Sequence, residues 1–230
     1  MKKILEKHET LFSISMIIIY ILTNSYCMQN FTLTSYKTLL VNILLTLIII
    51  IIILTSKLTK YYCLNRFPNP KKYLYFIPLI FLISINLWNG INFNNTPTEI
   101  IFYMLSMLCI GFLEEIIFRG FLYQMMAKDS EKSAIIVTSL TFGIGHIINL
   151  FNGADLIPTL FQVCYAISIG FLFVTILRKS KSLWPCIITH SLTNALSIFN
   201  INNHLSLYVA PIILIIVPIL YSIYITKKVN

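Results

Sequence analysis

The strongest constraint on the fold is a repeated pattern of long apolar runs that fills most of the 230-residue chain. About 20 apolar residues of helix cross the hydrocarbon core of a bilayer, because each residue adds about 1.5 Å. We predict eight spans, at residues 11–29, 36–56, 73–91, 98–127, 132–150, 156–177, 182–200 and 206–226. Only 11% of the residues are charged, whereas soluble domains carry about a quarter, so water is not the main solvent of this chain.

The spans are predicted to be helices. Backbone polar groups must be paired inside hydrocarbon, which leaves helices or closed barrels, and no segment alternates with the period of a barrel strand. We therefore predict an all-α polytopic membrane protein, with about eight transmembrane helices in a bundle around a buried polar cavity. Spans and short connectors use up residues 1–230, which indicates a single membrane domain.

The formal net charge of +9 is concentrated in alternate connectors. Basic residues cluster near the N-terminus, near the C-terminus and in the connectors at 57–72, 128–132 and 178–181. This distribution is typical of residues held on the cytoplasmic side rather than of a phosphate-binding surface. We expect no nucleic-acid partner and a multi-pass protein of the cell membrane with both termini cytoplasmic. Lys2, Lys3 and Lys7 precede the first span without a small-x-small cleavage site, which favours an uncleaved span.

The predicted fourth span contains three ionisable residues, Glu114, Glu115 and Arg119. Insertion scales assign about 2.5 to 3.5 kcal/mol to each ionised residue near the middle of such a helix. Glu115 and Arg119 are spaced i, i+4 in the favourable order, which predicts a structural ion pair. Glu114 is rotated about 100° from Glu115 and needs another polar partner. The alternative is that both glutamates only clamp Arg119 and pin this helix to its neighbours.

Polar partners for Glu114 lie on two later spans. His146 follows two glycines in the fifth span, and His190 and Asn194 are spaced i, i+4 in the seventh. Counted at about 1.5 Å per residue from the nearest lysine of each span, Glu114 and His146 lie about 21 Å deep, His190 about 14 Å and Asn194 about 20 Å. We therefore predict that the four side chains share one layer and one site.

This constellation is suited to amide hydrolysis by either of two routes. Glu114, His146 and His190 could bind a divalent metal such as zinc, which polarises the carbonyl and acidifies water. Without a metal, Glu114 with His146 could act as general base while His190 and Asn194 bind the oxyanion. The zinc signature H-E-x-x-H is absent, and the sequence leaves both routes open. Ser191 and Cys186 are weaker nucleophile candidates because neither has an arranged base.

The ordered set of motifs resembles the CAAX-protease and bacteriocin-processing (CPBP) family, which includes the Ras-converting CAAX endopeptidase. These motifs are E-E-x-x-x-R from Glu114 to Arg119, F-x-x-x-H from Phe142 to His146, and H-x-x-x-N from His190 to Asn194, within a core of about residues 98–200. The resemblance implies a glutamate- or metal-dependent intramembrane endopeptidase with an eight-helix fold and a conical cavity. It implies Glu114 as the water-activating carboxylate, His146 beside it, His190 and Asn194 as ligands of a metal or the oxyanion, and structural roles for Glu115 and Arg119.

The expected substrate is a membrane-associated peptide or protein. The composition, rich in Ile, Asn and Lys, is typical of an AT-rich bacterial source, so we expect a bacterial plasma membrane rather than a prenylated CAAX substrate. Bacterial relatives are linked to bacteriocin self-immunity. Two other functions are compatible with the sequence: an inactive membrane scaffold or bacteriocin-immunity protein with the same fold, and a transporter that uses Glu114 and His146 as a proton relay.

Overall fold

A computed structural model describes residues 2–66 and 76–228, and within these two ranges it contains helices and no strand. The helices in chain order are α1 (Lys2–Lys7), α2 (Glu9–Asn30), α3 (Tyr36–Thr55), α4 (Pro78–Ser84), α5 (Pro97–Met126), α6 (Glu131–Gly145), α7 (Ile148–Phe151), α8 (Leu156–Ser180), α9 (Trp184–Leu196) and α10 (Leu205–Lys228). Short 3-10 turns, Ile85–Leu87 and Ser197–Phe199, extend α4 and α9.

The predicted all-α membrane fold is confirmed. Within residues 2–66 and 76–228, six helices are long and apolar enough to cross a membrane: α2, α3, α5, α8, α10 and the continuous segment Glu131–Phe151, which comprises α6 and α7. The predicted third and seventh spans are occupied by the shorter helices Pro78–Leu87 and Trp184–Leu196. Each has a proline in its first turn, Pro78 and Pro185, where the fixed φ favours the helix and no hydrogen bond is lost. Residues 73–75 of the predicted third span lie outside the described residues.

Helix α5 lies at the centre of the bundle and is packed against α3 and α9, while α8 packs against α6 and α10. The aliphatic helix α3 shows the membrane-facing side of this arrangement. Its Leu40, Leu44 and Ile51 side chains are exposed, whereas Ile49 and Ile53 are buried against the other helices. An exposed apolar face of this kind is stable against lipid chains rather than against water.

The two ends of the bundle differ in their polar contacts. One end, which we call the lysine-rich end, includes Lys128 after α5 and Arg178 near the end of α8. There Glu9 at the start of α2 pairs with Lys128. At the same end, Arg178 near the end of α8 donates two hydrogen bonds, of 2.8 and 2.6 Å, to Glu131 at the start of α6. At the opposite end Ser25 of α2 donates to Asn152, which follows α7, at 2.6 Å. The position of a residue along its helix therefore indicates whether it lies nearer to the lysine-rich end or to the opposite end.

Helices α5 and α9 approach each other closely at Gly111. A Cβ atom added at this glycine would lie 2.6 Å from the backbone N and Cα of Ser191, which is closer than packed atoms allow. We expect Gly111→Ala to destabilise the protein by about 1 to 3 kcal/mol, because the backbone must shift to relieve the overlap. Gly145→Ala is the matched control, since nothing lies within 4 Å of its added Cβ. Equal melting temperatures for both variants in detergent would contradict the close contact.

Candidate active site

The two adjacent glutamates of α5 lie where the helix changes its hydrogen-bond pattern. The regular α-helix ends at Glu115, and Ile116–Tyr123 continues as a π-helix in which every residue is buried. Wide turns of this kind occur often at functional sites. Glu114 is 7% exposed and Glu115 is fully buried, so both carboxylates must be matched by partners inside the protein.

Glu115 has two partners on one oxygen. Arg119 donates from Nη1 to Glu115 Oε1 over 3.1 Å, and His190 Nδ1 lies 2.8 Å from the same oxygen. The guanidinium carbon of Arg119 is also 4.1 Å from the ring centroid of Phe142, a cation–π arrangement that is strengthened by desolvation. The same carbon lies 5.6 Å from the ring centroid of Phe173, so the buried positive charge is balanced by one carboxylate and two aromatic faces.

Glu114 faces a different set of groups. Tyr20 of α2 donates its hydroxyl to Glu114 Oε1 at 2.5 Å. The second oxygen, Oε2, lies 3.3 Å from His190 Nε2 and has no hydrogen-bond partner among the described side chains. The imidazole of His190 thus lies between the two glutamates, with one ring nitrogen near each.

A cavity of about 360 Å³ brings the candidate residues together, and its lining includes Glu114, His146, His190 and Asn194. His146 is the capping residue at the C-terminus of α6. Its ring centroid lies 5.5 Å from that of Phe142, which in turn lies 5.8 Å from that of His190. Side chains from α5, α6 and α9 therefore meet at one polar site inside the bundle.

The arrangement differs from a preformed metal site. Among residues 2–66 and 76–228, no three His, Cys, Asp or Glu side chains are grouped so that they could hold a metal ion. Glu114 and His190 approach each other closely, while His146 shares the cavity wall with them. Metal binding by Glu114, His146 and His190 therefore stays a prediction.

The structure adds contacts that the sequence did not indicate. Tyr20 is one of several hydroxyl side chains in its span, and only its depth distinguishes it: Tyr20 lies 11 residues from Glu9, or about 17 Å along the helix. Glu115 was interpreted as a partner of Arg119 alone, yet it also contacts His190. Tyr20 of α2 thus helps to position Glu114, and Glu115 helps to position His190.

Tyr20→Phe is expected to reduce kcat about 10- to 150-fold with KM little changed, because a hydrogen bond to a charged group contributes about 1.5 to 3 kcal/mol. The hydroxyl holds Glu114 rather than substrate, so the loss should appear in kcat. Tyr103→Phe is the matched control: Tyr103 lines the same cavity, but its hydroxyl pairs with Ser197 at 2.7 Å. Steady-state kinetics on a cleavable peptide would measure both variants. An equal loss in the two would contradict a specific role for Tyr20.

The fold and the site together define a polytopic membrane protein with a buried site of carboxylates, imidazoles and an asparagine. Residues 96–196 match the Rce1-like family, described as type II CAAX prenyl endopeptidase. This region contains all three motifs, and the match confirms the resemblance that the motifs show to the CPBP family of CAAX-type proteases. Searches of curated proteins and of solved structures found no match.

Proposed function

We propose that the protein is an intramembrane endopeptidase that hydrolyses a peptide bond of a membrane-associated peptide or protein, with water activated by Glu114. The observation that carries this proposal is the Oε2 atom of Glu114. This atom is buried, lies 3.3 Å from His190 Nε2 and has no hydrogen-bond partner among the described side chains, and the carboxylate is part of the cavity wall. A carboxylate in this position can accept a proton from a water molecule that the cavity admits.

The proposed reaction uses Glu114 first as base and then as acid. Glu114 takes a proton from water while the water oxygen attacks the carbonyl carbon, and the negative charge moves to the carbonyl oxygen. Asn194 and His190, which line the same cavity, would donate hydrogen bonds to that oxyanion, His190 from Nε2 of a ring that carries protons on both nitrogens. Glu114 then returns its proton to the amine as the C–N bond breaks. His146 is proposed to assist the proton transfer from its position on the same wall.

Glu115 is proposed to orient His190 for this task. A carboxylate bonded to one imidazole nitrogen fixes the ring and directs the other nitrogen, and the contact of Glu115 with Nδ1 places Nε2 near Glu114. Arg119 balances the charge of Glu115. The structural ion pair is in this way connected to the site through His190.

Metal-assisted hydrolysis is the second route. A divalent ion such as zinc, held by Glu114, His146 and His190, would polarise the carbonyl and acidify water. If these residues bind zinc, the purified protein should contain zinc and the His146→Ala/His190→Ala double variant should lose it. Elemental analysis after identical purification measures both. Equal metal content in the two proteins would remove the ligand assignment.

The cellular setting is proposed from the same features. The lysine-rich end is proposed to face the cytoplasm of a bacterial cell, with both termini there. The substrate is proposed to be a membrane-associated peptide or protein, and bacteriocin self-immunity is one setting in which such cleavage would be useful.

The experiment that tests this function compares membrane peptides in cells that carry the wild-type chain or Glu114→Gln. An uncut precursor should accumulate in the variant, and its sequence would identify the substrate. Glu99→Gln is the matched control, because Glu99 caps the start of α5 on the surface and glutamine can keep that cap. An unchanged peptide pattern together with a retained cell phenotype would favour the inactive scaffold or immunity protein.

A further inference from the structure

The cavity extends from Glu114 in one direction only. On α5 it is lined by Tyr103, Met107 and Ile110, all of which precede Glu114, and no residue of α5 after Glu114 lines it. On α2, which runs the opposite way, the lining residues Asn24 and Met28 lie beyond Tyr20. Because α5 ends and α2 begins at the lysine-rich end, both helices place the cavity toward the opposite end.

Other parts of the chain agree with this direction. On α9 the lining continues past His190 to Thr193 and Ser197, away from the start of that helix. On α8 it runs from Gln162, in the first third of Leu156–Ser180, to Phe173, whose ring centroid lies 6.1 Å from that of His190. The lining also includes Leu33 in the connection between α2 and α3, so the cavity reaches the loops of the opposite end.

The lysine-rich side of the site is packed. The segment Ile116–Tyr123 is buried throughout, and Phe121 contacts the rings of Phe12 and Tyr62 at centroid distances of 4.9 and 5.0 Å. Below these rings Tyr61 donates to Glu9 at 2.6 Å, and Glu9 pairs with Lys128. A cavity of about 30 Å³ lies beside Glu9, Tyr61 and Lys128 at this end. Among the described residues, the packed rings of Phe12, Tyr62 and Phe121 lie between this end and Glu114.

The lining of the cavity is suited to an extended peptide. The wall combines apolar side chains such as Ile110 and Met107 with the carboxamides of Asn24, Asn86, Asn149, Gln162 and Asn194. Asn149 donates to Gln162 at 2.8 Å and Asn86 donates to the carbonyl of Thr193 at 2.8 Å, while Asn24 and Asn194 offer carboxamides to a ligand. A carboxamide can pair with both the N–H and the C=O of a peptide backbone. Asn24 Oδ1 is buried without a hydrogen-bond partner among the described residues, and a peptide N–H would satisfy it.

We infer that the site takes its substrate from the extracytoplasmic side, as an apolar polypeptide segment whose backbone enters the cavity from the end opposite the lysine-rich end. This inference rests on the proposed function and on the cytoplasmic placement of the lysine-rich end, which the distribution of positive residues indicates. Exported peptides and the outer ends of membrane spans are of this chemical class. A segment presented at the cytoplasmic face would meet the packed aromatic rings instead.

The test is the side from which a small, charged, membrane-impermeant methanethiosulfonate reaches the cavity. Thr193→Cys places a thiol on the cavity wall, one helical turn beyond His190, and Lys60→Cys places one on the exposed surface of the lysine-rich end. The reagent is applied to intact cells and to inside-out vesicles, and the mass shift of the purified chain is measured. The chain with its five native cysteines gives the baseline.

We expect the reagent to label the Thr193→Cys variant in intact cells and not in inside-out vesicles. We expect it to label the Lys60→Cys variant in inside-out vesicles and not in intact cells. Labelling of the Thr193→Cys variant only in vesicles, or in neither preparation, would overturn the inference, as would labelling of the Lys60→Cys variant in intact cells. Repeating the experiment with Glu114→Gln separates access from catalysis. External labelling without an accumulated precursor would leave the access route standing while the proposed function fails.

Discussion

Replacing Glu114 by glutamine should lower peptide-bond hydrolysis at least about 100-fold, the usual contribution of a general base. Glutamine has nearly the same shape, and its carbonyl oxygen can still accept the hydroxyl of Tyr20, so folding should be retained. What the variant loses is the ability to take a proton from water at the position of Oε2. Both the metal-assisted and the metal-independent routes require this carboxylate, so the expected loss is the same for each.

The measurement is the single-turnover rate of a cleavable membrane peptide with purified protein in detergent or liposomes. Glu99→Gln makes the same chemical change on the surface of α5 and should keep the wild-type rate. Activity of Glu114→Gln within a few-fold of that of Glu99→Gln would remove Glu114 from the reaction.

Arg119→Ala is expected to destabilise the folded protein by about 3 to 5 kcal/mol, because it leaves the buried carboxylate of Glu115 without its charged partner. Both side chains of this pair are completely buried, so water cannot replace the guanidinium. The variant also loses the contact of the guanidinium with the Phe142 ring. We expect a lower folded yield and a lower melting temperature in detergent.

The companion variant tests the cause of that loss. Glu115→Gln/Arg119→Met removes both charges and fills a similar volume, so it should lose much less stability than Arg119→Ala. If the double variant is as unstable as Arg119→Ala, lost packing rather than a stranded charge accounts for the effect. A melting temperature of Arg119→Ala equal to that of the wild type would contradict the ion-pair assignment itself.

The fold class could be predicted because the thickness of the bilayer fixes the length of a span. The apolar sequences of α3, α5, α8 and α10 reach that length, so each could be recognised as a span. Hydropathy could not show that the described part of the predicted third span, residues 76–91, and the seventh span, residues 182–200, form short helices. An apolar residue scores the same in a helix, a 3-10 turn or a loop. The prolines at 78 and 185 fix where these helices begin, but the position of their ends depends on packing.

The site could be predicted only in part, for a geometric reason. Ionisable residues inside a span are costly, so Glu114, Glu115 and Arg119 stood out, and the i, i+4 spacing indicated which two would face each other. The contact of His190 with Glu115 depends on the rotation of α9 about its axis, which a sequence does not specify. The π-helical turns of Ile116–Tyr123 depend equally on the neighbours of α5.

Because Tyr20 donates a hydrogen bond to Glu114, the motif-bearing segment does not contain the whole site. Residues 96–196 carry the motifs of the family. The hydrogen-bond donor to Glu114, however, is Tyr20 of α2, 94 positions earlier in the chain. A fragment limited to the motif-bearing segment would lack that donor. A chimaera that exchanges the first long helix between relatives would have to bring its own hydroxyl to the same depth.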